Sequence, residues 1–264
     1  MSKPTELKKQ INSIHSFAKQ LGLSNLANHP FEMFPPQMSN EDFLIRCLKD
    51  EIAYREQRAK DRREAQIPAV KDFKSFDTSF QQGITDWQLR QLAALNWIDN
   101  YFNVLFIGPP GTGKTHLALA IGNEALDFGY KVFFSSMDNL IHILKTQEIS
   151  RNSAARIKWI KESQLLIIDE VGYIPIGKSE ANLFFQLISS LYENTSVVIT
   201  SNKGFDGRAV LLGDSVLATS LLDRLTHRCQ VLSFSGDGWR VAHTEEIFDD
   251  SLFECVRISG RASA

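Results

Sequence analysis

The chain has 264 residues, enough for one large domain or a main domain with a small appendage. Its 43% hydrophobic and 23% charged residues are the ordinary balance of a soluble globular protein, and a formal net charge of -2 decides nothing about partners, because a basic face can sit inside a balanced total. Cys47, Cys229 and Cys255 are odd in number and far apart, which argues against a disulfide framework or a zinc site and for reduced thiols. No apolar run reaches membrane-spanning length, and the first residues lack the apolar core of a signal peptide, so a cytoplasmic protein is expected.

In chain order, residues 5–28 read as a weakly amphipathic helical segment that ends near His29-Pro30. The Phe31–Pro36 stretch breaks it, since a residue before proline is pushed out of the α region. Ser39, followed by Glu41 and Asp42, then caps a new helix whose Leu44, Leu48 and Ile52 recur every four residues and predict a packing face. Its far end, Arg55 to Arg63, carries five basic residues against two acidic ones. That cluster reads either as a solvated, ion-paired face or as a phosphate-contacting edge for nucleic acid, and the sequence leaves both open. Pro68 ends this helical region, residues 71–82 read as a linker with regularly spaced aromatics, and Trp87 to Trp97 as a short helix.

From there strand and helix alternate. Asn103–Ile107 is a buried strand, Thr115–Leu126 a helix, Lys131–Ser135 a strand, and Leu140–Leu144 part of a helix. Gln164–Ile168 is a strand, Asn182–Leu191 a helix, and Thr195–Thr200 a strand. Such alternation predicts a mostly parallel sheet covered on both faces.

Between the first strand and its helix lies Gly108-Pro109-Pro110-Gly111-Thr112-Gly113-Lys114-Thr115, which fits the phosphate-loop pattern at every fixed position. The glycines let successive N–H groups face phosphate oxygens, and the helix start adds its positive end. Lys114 can reach the outer phosphates of ATP and the Thr115 hydroxyl can ligate Mg²⁺. His116, next in line, is counted with the nucleotide-contacting positions, although no histidine here has metal-ligand spacing. About fifty residues on, Leu165–Ile168 delivers Asp169 and Glu170 at the carboxyl end of a strand, where open parallel sheets bind ligands. Asp169 suits the metal, and Glu170 suits general-base activation of water. Asn202 ends the next strand and reads either as a terminating turn or as a group beside the γ-phosphate.

Gly108–Thr115, Leu165–Glu170 and Val197–Asn202 together resemble AAA+ ATPases of the DnaC/IstB branch, and the IstB-like proteins of bacterial insertion sequences in particular. Leu166–Pro175, Phe184–Ser189 and Leu217–Leu225 follow the same wording, so the resemblance runs from about residue 40 to 241. It implies an α/β fold, a P-loop AAA+ three-layer sandwich preceded by a small all-helical N-terminal domain. The implied division is 1–70 helical, 71–256 ATPase with little or no lid, and 257–264 a flexible tail. It implies Asn202 as sensor 1, Arg224 as an arginine finger reaching a neighbour's nucleotide with Arg228 as competitor, and Arg240 as a sensor-2 arginine. It further implies a ring or spiral of copies on duplex DNA that remodels the target and recruits a cognate transposase. A DnaC-like helicase loader, or a nucleotide-switched DNA scaffold without turnover, are the alternatives.

Overall fold

Five short strands set the frame. In the computed structural model, which describes residues 13, 16–18, 39–78, 83–172, 176–202 and 215–236, they are β1 (Asn103–Ile107), β2 (Val132–Ser136), β3 (Leu165–Asp169), β4 (Ser196–Ser201) and β5 (Cys229–Ser233). They form one sheet in the order β2-β3-β4-β1-β5, with every pairing parallel. β1 to β4 are largely apolar because both of their faces are covered, and their two-residue period sorts side chains between two cores. Leu105, Phe133, Leu166, Ile168, Val197 and Ile199 face one core. Val104, Phe106, Phe134, Leu165, Ile167 and Val198 face the other.

The helices complete the layers. Phosphate-loop helix α4 (Lys114–Asp127) lies on the second face with the short α2 (Asp86–Ala93) and α3 (Asn96–Asp99). On the first face lie α5 (Met137–Thr146), α6 (Arg151–Glu162), α7 (Lys178–Leu191) and α8 (Ser215–Thr226). Gly122 lets α4 approach the sheet, since a β-carbon there would stand 2.8 Å from Cδ1 of Ile167 and 2.8 Å from Cδ1 of Ile67. Serines open three helices, with Ser39, Ser136 and Ser150 each accepting from a backbone N–H of the first turn. No described helix is long and apolar enough to cross a membrane.

Before the sheet comes α1 (Asn40–Glu64), capped by Ser39 as its sequence predicts. Its expected apolar packing face is a correction: Leu44, Leu48 and Ile52 are 58%, 48% and 57% exposed. A four-residue spacing puts them on one side of the helix but does not say which side meets the protein. The row that is covered is Cys47, Glu51, Tyr54, Arg58, Asp61 and Ala65, largely polar and therefore invisible to a search for apolar periodicity. Arg58 and Arg62 both pair with Asp127 at the end of α4, the latter at 2.8 Å, and the Ala65 carbonyl accepts from Phe134 N at 2.8 Å along the outer edge of β2. Part of the basic cluster is thus engaged within the chain, in pairs exposed enough to contribute at most about 1 kcal/mol each.

The Trp87–Trp97 segment is two helices, not one, because Leu95 adopts a left-handed φ of 58° between them. α6 and β5 have no counterpart in the reading of the sequence. Of β5 only Leu232 is buried, so this strand at the sheet's edge offers no apolar run to read. The segments 5–28 and Phe31–Pro36, the tail and Cys255 lie, apart from residues 13 and 16–18, outside the described residues.

Candidate nucleotide site

The phosphate loop leaves the carboxyl end of β1 and turns into α4 at Gly113, whose φ of 85° is left-handed. A β-carbon there would sit 2.6 Å from the Phe76 ring, so the position demands glycine twice over. Lys114 is 8% exposed, and its ammonium donates to the Pro109 carbonyl at 2.5 Å and to Thr112 Oγ1 at 3.4 Å. Burial pulls its pKa down, and the nearby Asp169 carboxylate partly opposes that. Thr112 is fully buried and donates to the Pro109 carbonyl at 2.8 Å, while Gly108 N donates to the Ser201 carbonyl at 3.1 Å. Gly108, Pro109 and Thr112 therefore brace the loop, whereas Pro110, Gly111, Gly113, Lys114, Thr115 and His116 line the cleft beside it.

Strand order brings the acids in. Because β4 lies between β1 and β3, its end separates the phosphate loop from Asp169 and Glu170. Asp169 continues the face of Leu165 and Ile167, so it points toward α4, where its Oδ1 accepts from Thr115 Oγ1 at 3.0 Å. The same oxygen accepts from the hydroxyl of Thr200. Glu170 is exposed at the cleft with a φ of 62°, a left-handed conformation costing a side chain of this size about 1–3 kcal/mol. Its N–H donates to Thr200 Oγ1 at 2.9 Å. Asn202 borders the cleft as well; its Oδ1 is buried, and no described residue donates to it.

The cleft has a volume of about 500 Å³. Its far wall was not foreseen: Lys71, Ser75, Phe76 and Asp77 belong to the segment read as a linker, and they form a strap along the phosphate loop. His116 fixes it, with Nε2 3.2 Å from Ser75 Oγ and 3.1 Å from the Asp72 carbonyl oxygen, and with its ring edge-on to Phe76 at 5.6 Å. The signal was present as the recurring aromatics of 71–82, which a solvated linker would not need.

Arg224 is elsewhere. It lies over the Phe185 ring at 4.5 Å and donates to Ser189 Oγ, near the end of α8. Leu225 and Arg228 offer their carbonyls to Asn103 at the start of β1, at 3.0 and 2.7 Å. Both arginines therefore sit at the edge of the sheet opposite the chain's own phosphate loop, about 15 Å away along a five-residue strand. Arg228 Nη1 reaches the Asn100 carbonyl at 3.3 Å. Arg240 lies outside the described residues.

The model of the family described as IstB-like ATP binding protein matches residues 17–247. The chain belongs to the IstB-like ATP-binding family. A protein of Pseudomonas aeruginosa, named as the ATP-binding protein of insertion sequence IS21, is 39% identical over 78% of this chain and 78% of its own length. Another, from Geobacillus stearothermophilus and named for insertion sequence IS5376, is 34% identical over 86% of this chain and 93% of its own. Among solved structures, DnaI matches 66% of this IstB-like chain and 94% of its own with a TM-score of 0.54 at 18% identity, a likeness of fold.

Proposed function

We propose that this IstB-family chain is an ATPase that works as an assembly on duplex DNA and brings that DNA to the transposase of its insertion sequence. Hydrolysis is carried by one observation above the others: Glu170, held in a left-handed turn, shares a cleft wall with Asn202, beside Lys114. The loop N–H groups and Lys114 bind the phosphates, Asn202 orients water, and Glu170 takes its proton. The Thr115 hydroxyl and Asp169 carboxylate are hard oxygen donors within 3.0 Å of each other, a set that fits Mg²⁺. Bound there, Mg²⁺ supplies neutralisation of phosphate charge. Insertion-sequence naming of relatives supports the DNA and transposase part. In this reading residues 1–70 serve partners or DNA and 71–256 the nucleotide.

The test separates binding from turnover. Lys114→Ala should abolish binding of ATP, whereas Glu170→Gln should keep it and release phosphate about 10²–10⁴-fold more slowly. Identical phenotypes would contradict the assigned roles. Failure of the ATP-loaded protein to bind duplex DNA at low salt would remove the DNA part. Full DNA binding with ATP but no phosphate release would instead leave a nucleotide-switched scaffold.

A further inference from the structure

We propose that Thr200 is a positioning residue that holds both acids of the nucleotide site in register, acting through Asp169 and Glu170; this rests on the hydrolytic role of that site. Nothing in the phosphate-loop or acid motifs singles it out. It is one of several polar residues closing β4, and its role emerges from what its atoms touch.

Strand register delivers it. Ile168 pairs with Ile199, so one step further Thr200 runs alongside Asp169. The two-residue period that sends Val198 toward α4 sends Thr200 the same way, to the side on which Asp169 meets Thr115. At 2% exposure the hydroxyl has little water to turn to. It donates its proton to Asp169 Oδ1 and accepts the Glu170 N–H at 2.9 Å. The Thr200 carbonyl accepts Val171 N at 2.9 Å. Three successive residues, Asp169 to Val171, are thus each tied to this one position. Between the outer two sits Glu170 at a φ of 62°, a conformation that a residue with a β-carbon keeps only where its surroundings fix it.

The chemistry requires a hydroxyl. Valine has nearly the same shape but neither donates nor accepts, so it leaves the Glu170 N–H without its acceptor and removes one of two donors to Asp169 Oδ1. The phosphate cradle keeps ties that a valine at 200 does not remove: the Lys114 ammonium donates to Pro109 and Thr112 within its own loop, and Gly108 N donates to the Ser201 carbonyl. Losing the hydroxyl should therefore misalign the acids and leave the cradle standing.

The experiment compares full-length Thr200→Val and Thr200→Ser with the unmodified protein in Mg²⁺. It reads phosphate release, the affinity for a fluorescent ATP analogue that resists hydrolysis, and the melting temperature. Thr200→Val should lower kcat by about tenfold or more while analogue affinity stays within about threefold, and Thr200→Ser should restore kcat to within about threefold. Added to Glu170→Gln, the valine should change phosphate release by less than about twofold, because both substitutions disable the same step. Should the valine chain melt early, Thr200→Ala against Thr200→Ser makes the same comparison. A valine variant as fast as an active parent would overturn the proposal. So would parallel loss of turnover and analogue binding that serine does not rescue, the mark of a merely structural residue. A parent that binds the analogue but releases no phosphate is a different outcome: it overturns the hydrolytic reading itself, and this role with it.

Discussion

Glu180, at the third position of α7, illustrates how a single carboxylate joins local and tertiary structure. One oxygen accepts the Gly177 N–H at 2.9 Å, closing the helix start, and the other accepts Lys145 Nζ at 2.8 Å from the end of α5. The lysine bond foremost, and the Gly177 bond after it, hold the carboxyl below its ordinary pKa. A depressed folded pKa means stability that is present above the ordinary glutamate range and lost as pH falls through it toward the lowered value. Glu180→Gln should therefore lower the melting temperature by about 1–2 °C at pH 7, the scale of an exposed pair, and the gap should close as the pH drops below about 4. A gap that persists in acid would assign the effect to something other than charge. At this scale the sequence yields what chemistry marks by residue type: Lys114, Thr115, Asp169, Glu170 and Asn202 all stand where the loop and strand ends were expected to put them. Thr200 escaped because a threonine in a strand has no composition signal, and only a fixed geometry shows whom its hydroxyl serves.

Among elements, the strap of residues 71–77 has the largest bearing on the site. Phe76 is 8% exposed and lies under Gly113, while His116 ties the strap to the first turn of α4. Phe76→Ala should cost about 3 kcal/mol of stability from the lost ring contacts, read by chemical denaturation, and should weaken ATP binding with it. Unchanged affinity would make the strap a mere cover for the core. β1, β3 and β4, with α4 and α7, were legible because nearly every inward position of a two-sided sheet, or of a helix laid on it, must be apolar. The strap and the packing face of α1 were misread for the converse reason. Their docking runs through Arg58, Arg62, Asp127, Ser75 and His116, and polar pairings between distant segments leave no period in the sequence.

For the whole molecule, the decisive relation is between the two edges of the sheet. Arg224 lies at the edge where strands begin, and the phosphate loop lies where they end. An arginine there lies far from its own chain's cleft, and in the assembly proposed above we assign it to a neighbour's; an arginine donated in trans is typically worth roughly 10³–10⁵ in rate. Phosphate release per chain should therefore rise with protein concentration. Mixing Arg224→Ala with Lys114→Ala chains, each inactive alone, should recover activity at the junctions that pair one good loop with one good arginine. No recovery at any ratio would move the role to Arg228, whose exposed side chain leaves from the same corner. β4 runs between those edges and carries a further consequence. The alternation that commits Val197 and Ile199 to one hydrophobic layer and Val198 to the other also decides that Thr200 turns toward Asp169. A one-residue insertion or deletion in this strand would exchange the layers and swing the hydroxyl away in the same stroke. Core packing and reactivity are thereby locked to a single phase of the chain, and evolution can edit neither here without editing both.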